Sequence, residues 1–159
     1  MKLKNNKGYV AIDMAVAIIG IIVFSGLIIS LMYSNFLENA KTKKEAIAVI
    51  YLTELMENVG IATYEQVPLD KEKEKNLELY QEKIENLKPA DLKKSSSSNN
   101  KDVYRIDIKI VNIGQDGEEI NIEQVEETND IIKKITATIS YTVGNKTYSN
   151  TLQRIKIKE

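Results

Sequence analysis

Asp13 is the one charged side chain in a stretch that is otherwise uncharged from Gly8 to Leu37. Placing a carboxylate at a bilayer centre costs about 2.5–3.5 kcal/mol on insertion scales. An acid kept there needs a cationic partner or a place at the headgroup level, so its chemistry is electrostatic. Catalytic chemistry has little to work with. The chain has no His and no Cys, which removes imidazole and thiolate nucleophiles, their bases and their metal sites. Carboxylates alone carry no positive sign of catalysis, and no enzyme activity is expected. A second acidic group, Asp116, Glu118 and Glu119 in "QDGEE", offers the oxygens that calcium takes. Its spacing is not that of a calcium loop, and Asp116-Gly117 reads as a two-residue hairpin turn. No metal and no cofactor is therefore expected. The formal net charge is −1, so no broad basic surface invites nucleic acid.

The element that must position Asp13 is a helix. Met14–Leu37 carries no charge, and at 1.5 Å per residue it spans a hydrocarbon core of about 30 Å. It is too long for the apolar core of a secretory signal, and "SNFLENAKT" is a poor cleavage site. Lys2, Lys4 and Lys7 precede Gly8 and place the N-terminus in the cytoplasm, with the chain beyond Glu38 outside. Subtracting those three charges from the net −1 leaves −4 for the remainder. Ala11, Ala15, Ala17, Gly20, Ser25 and Gly26 punctuate the run. They allow close helix–helix approach, or are ordinary membrane composition.

The helix is expected to continue to Gly60, which suits a C-cap. Ala40, Ile47, Tyr51, Leu55 and Val59, flanked by Ala48, Leu52 and Met56, define one apolar face. Lys43, Lys44, Glu54 and Glu57 define the opposite one. In the connector that follows, Leu77, Tyr80, Ile84 and Leu87 mark a marginal surface helix, and "SSSSNN" is a low-complexity loop. From Val103 the period becomes two. Tyr104, Ile106, Ile108 and Ile110 form one strand, and Ile120 and Ile122 its hairpin partner. Ile135, Ala137, Ile139, Tyr141 and Val143 form a third. After Gly144-Asn145 a fourth returns, with a phase slip between Leu152 and Ile155 that suggests a bulge. The fold class is α+β: a long N-terminal helix, transmembrane in its first half and amphipathic in its second, packed on a four-stranded antiparallel sheet.

"KGYVAID" resembles the leader junction of type IV prepilins and pseudopilins. Lys7-Gly8 matches the end of a basic leader, Tyr9 the first mature residue, and Asp13 the fifth-position acid, normally Glu. Val10 and Ala11 stand where Thr and Leu are commoner. Many pilins carry a proline in this segment, whereas the prolines here are Pro68 and Pro89. The resemblance covers about the first thirty residues. It implies a leader at 1–8, a transmembrane and filament-core half-helix at 9–37, an amphipathic half-helix at 38–60, a variable connector at 61–102 and a sheet at 103–159. It further implies cleavage between Gly8 and Tyr9 by a prepilin peptidase, with N-methylation of Tyr9. Other pilin or pseudopilin subunits, the assembly platform and the membrane are the implied partners. Asp13 would then meet the new α-amine, whose ordinary pKa is about 7.7–8.0, in its own chain or in a neighbour. The implied function is structural: a subunit, minor rather than major, of a type IV pilus, a secretion pseudopilus or a competence pilus. The rival is a single-pass anchor carrying an extracellular binding domain that never polymerises.

Overall fold

Apart from the exposed first half of the long N-terminal helix and the largely exposed last strand, each α-helix and β-strand buries part of its apolar surface. The computed structural model describes residues 7–95, 104–114, 117–119 and 132–158, with side chains from residue 12 and excepting 72, 94 and 95. Its elements are α1 (Lys7–Ile61), α2 (Leu77–Leu87), α3 (Ala90–Ser95), β1 (Arg105–Ile113), β2 (Ile132–Val143) and β3 (Lys146–Ile157). Short 3-10 turns lie at Tyr64–Gln66 and Asp70–Lys73. The chain divides into two compact units, Met1–Lys41 and Thr42–Glu159.

In the second unit the three strands form an antiparallel sheet in the order β1-β2-β3. The fold is thus α+β with three strands among the described residues. The expected partner of β1 at Ile120–Ile122 lies outside them. Its turn is present in part: the Gly117 N–H donates to Gly114 O, the Gly114 N–H donates to Glu118 O, and Ile113 bridges to Glu119. The loop is one residue longer than the two-residue turn read from Asp116-Gly117. Gly117 supplies the left-handed position (φ 85°) that such loops need. Between β2 and β3 the two-residue turn is as expected, with Gly144 at φ 59°.

One face of the sheet carries Ile110, Ile135, Ala137, Ile139 and Tyr141, all buried. Against it lies the second half of α1 through Ala48, Leu52, Leu55, Met56 and Val59, also buried. Removing a fully buried leucine such as Leu52 or Leu55 costs about 2–5 kcal/mol. At one end of this core Tyr51 meets Tyr104 edge-on at 5.5 Å, and Tyr141 stacks on Tyr148 at 5.9 Å. Such pairs add about 0.5–1.5 kcal/mol each beyond burial. Beside them Lys44, read as belonging to the far surface, instead donates to Thr142 O at 2.9 Å. Its long stem lets the ammonium reach back to the sheet.

The other end is polar, and two expectations fail there. The pairing of β2 with β3 runs unbroken from Val143↔Lys146 to Ile132↔Ile157, so β3 has no bulge. Instead, Arg154 and Lys156 occupy the inward phase, and Ile155 and Ile157 point outward, 58% and 61% exposed. The reason is the end of α1. The carbonyls of its last turns carry partial negative charge, and those after Asn58 lack intrahelical partners. Arg154 Nη1 donates to Met56 O at 2.8 Å, and Lys156 Nζ donates to Val59 O and Gly60 O at 3.1 Å each and to Ala62 O. Gly60 is correspondingly not a left-handed cap, since the positive-φ glycines are Gly117 and Gly144. A Cβ there would lie 2.6 Å from the Arg154 guanidinium, so a side chain at this position would displace it. Lys133, also inward on β2 and only 5% exposed, donates to Tyr64 O at 2.8 Å and Val67 O at 2.6 Å. It fixes the chain as it leaves α1.

The connector packs through Val67, Leu69, Tyr80, Leu87 and Leu92, all buried. The expected marginal helix is α2. Tyr80 and Leu87 are its buried anchors, whereas Leu77 stays half exposed. The Tyr80 hydroxyl donates to Asp70 Oδ1 at 2.5 Å.

Candidate functional site

Gly8, Tyr9 and Asp13 all fall in the first turns of α1. At this end of a helix the first four N–H groups have no intrahelical acceptor. The backbone at Gly8 and Tyr9 is therefore the easiest part of α1 to open. Asp13 lies four positions after Tyr9, one turn along the same face. Asp13 is exposed and belongs to the described side chains.

Beyond it, the side chains of the first unit have nothing to bury against. Ile12 is 63% exposed, Phe24 67% and Phe36 69%, and every residue from Ile12 to Phe36 is exposed. In water, exposing so much continuous apolar surface is strongly unfavourable, at about 25 cal/mol per Å². This helix is long and apolar enough to cross a membrane. A helix apolar all round belongs in lipid or among other apolar helices.

The faces of this segment are not alike. Asp13, Ala17, Gly20 and Phe24 recur at i, i+4, i+7 and i+11, so the acid shares its face with two small residues, Ala17 and Gly20, before Phe24. A Cβ at Gly20 or Gly26 would meet nothing within 4 Å, so each glycine is an open notch. The sequence contained this pattern, but reading the small residues as one set hid that only Ala17 and Gly20 share the face of Asp13.

Of the acidic turn, Glu118 and Glu119 are described and Asp116 lies outside the described residues. Glu119 Oε1 accepts from Lys109 Nζ at 2.8 Å, and that bond holds the Glu119 carboxyl below its usual range. No group of three or more potential metal ligands occurs among the described residues. Comparison with protein-family models, curated proteins and solved structures finds no match to this chain.

Proposed function

We propose that the chain is a type IV pilin-like subunit, made as a precursor and built into an extracytoplasmic filament through α1. The observation that carries this reading is a helix with two different halves. The first is exposed along its whole apolar length, and the second is buried along one face by a sheet. The junction ahead of it supports the same reading. Basic residues end at Lys7-Gly8, and the acid follows at the fifth position counted from Tyr9. In this proposal residues 1–8 stay in the cytoplasm and are removed by a prepilin peptidase, which then methylates Tyr9. The apolar half waits in the membrane, and the second unit lies outside. On assembly the half-helix moves from lipid into a core of identical or related helices, an exchange between two apolar surroundings.

Asp13 gives that exchange its direction. In lipid the acid is costly. Beside the α-amine of a neighbouring Tyr9 it gains a counter-ion, so assembly is favoured and axial register is set. Removing one partner of a buried ion pair costs about 3–5 kcal/mol. The strip formed by Ala17 and Gly20 lets a neighbouring helix approach on the side where the acid points.

The test is the N-terminus of the mature protein, read by mass spectrometry from the native host. The expected species begins at N-methylated Tyr9, and Gly8→Val blocks its formation. Protein that retains Met1 would overturn the reading in favour of a simple anchored domain.

A further inference from the structure

The free edge of β3 carries an inference independent of α1. Among the described residues β3 pairs with β2 on one side and with nothing on the other. Over Asn150–Ile157 this leaves a row of backbone N–H and C=O groups on an edge strand. Edge strands in soluble proteins are commonly protected by shortness, proline or a bulge. β3 runs for 12 residues, has no proline, and keeps its register without a break. It also exposes apolar side chains beside that edge: Ile155 at 58% and Ile157 at 61%.

What guards this edge is charge. Lys146, Arg154, Lys156 and Lys158 lie on or beside the strand, and no acid occurs between Lys146 and Lys158. Like charges set opposite one another across a strand pair are destabilising. A second copy laid antiparallel about Leu152 would place its Lys158 against Lys146, and a parallel one would align Arg154 with Arg154. The edge therefore rejects itself and other basic strands. It does not reject an acidic one. Next to its end, Lys156, Lys158, Ile157 and Ile61 line an open cleft together with Glu65, so with two cations to one acid an acidic side chain meets a net positive wall and an aliphatic one an apolar wall.

We infer that the Asn150–Ile157 edge of β3 is a docking site for an extended acidic segment of a partner protein, added to the sheet as a further antiparallel strand. Main-chain hydrogen bonds supply the affinity of such pairing, and alternate side chains supply the choice of partner. On one face of the added strand aliphatic residues lie along Ile155 and Ile157. Its acids fall on the face of Lys156 and Lys158.

The test uses the full chain in a non-ionic detergent and an end-capped octapeptide alternating Glu and Val. Binding is read by fluorescence anisotropy at physiological ionic strength, and strand addition by amide hydrogen exchange. The Glu-Val peptide is expected to bind and to slow exchange at alternate amides between Asn150 and Ile157. A Lys-Val analogue should bind at least about tenfold more weakly, because it repeats the charge the edge already carries. Lys158→Glu should weaken the Glu-Val peptide and strengthen its Lys-Val analogue. Alternate N-methylation of the Glu-Val backbone should abolish binding, since it keeps every charge and removes the donors. Equal binding by the N-methylated peptide would show charge attraction without strand pairing and overturn the proposal. So would the absence of binding or of β3 protection. Stronger binding by a peptide copying Lys146–Lys158 would make this edge a contact between copies and also overturn it.

Discussion

At the scale of single residues, two positions carry sharp expectations. If Asp13 meets an N-terminal amine on assembly, Asp13→Ala leaves membrane insertion and cleavage after Gly8 intact but removes the subunit from filaments. Asp13→Glu keeps the charge, adds reach and is tolerated. Immunoblotting of sheared filaments against membranes checks this, and equal filament yield from Asp13→Ala would remove the assembly role. The second position is Gly60. Gly→Ala inside a helix ordinarily stabilises by about 1 kcal/mol. Here the new methyl displaces the Arg154 guanidinium and breaks its bond to Met56 O. Hydrogen bonds from charged donors are worth about 1.5–3 kcal/mol. Gly60→Ala should therefore be close to neutral in wild type and stabilise by up to about 1 kcal/mol when Arg154 is already Ala. Urea denaturation across the four variants reads that difference. Asp13 was visible in the sequence because a charge in an apolar run stands out. Gly60 was visible only as a helix stop, because the guanidinium that a side chain there would displace comes from 94 positions later.

Among the elements, alternation identified the inward faces of β1 and β2, and three-to-four spacing identified the buried face of α1. What misled was the assumption that apolar residues mark the inward phase everywhere. In β3 the inward positions near the helix end are Arg154 and Lys156, since unfilled carbonyls attract cations more than apolar contact would reward isoleucine. The phase of β2 did hold the clue: counting back by two from Ile135 puts Lys133 inward. α2 is the weakest element by sequence, and its anchor is testable. Burial, followed by the hydrogen bond to Asp70, raises the pKa of Tyr80 above its ordinary 10.0. An acid held neutral in the fold loses protons more readily once unfolded. Its stabilisation is complete below about pH 10 and declines as pH rises further. Tyr80→Phe should cost about 1–2 kcal/mol at neutral pH through the lost hydrogen bond. The gap between wild type and variant should then narrow from pH 10 upward, and denaturant midpoints measured at pH 7 to 11 check it. A gap that widens would contradict the assignment. Tyr51 and Tyr141, raised chiefly by burial, are common to both proteins and cancel in the comparison.

For the whole molecule, the division at Lys41 and Thr42 separates a unit whose apolar side chains are exposed from one that has its own core. A chain beginning near Asn39 should be soluble without detergent and show helix and antiparallel sheet together by circular dichroism. Aggregation, or a spectrum of helix alone, would contradict that division. The general architecture was legible because both periodicities are long and strongly apolar. The connector was less so. Its order comes from scattered anchors such as Val67, Leu69 and Leu92, which have no period to read.

The clasp on the end of α1 also has a consequence in time. The helix is among the first parts of the chain to leave the ribosome, yet the cations that close it stand 94 to 98 positions downstream of the carbonyls they cap. At about 5–20 residues per second, synthesis takes about 5–20 s to bridge that gap. During this interval the apolar half of α1 is already available to the membrane, while the amphipathic half has neither its sheet nor its cap. Translation thus orders the two halves: the apolar half is complete before its amphipathic continuation has its sheet. A message truncated before Arg154 would yield a chain whose helix end is never closed, a form for the cell's quality-control proteases to remove.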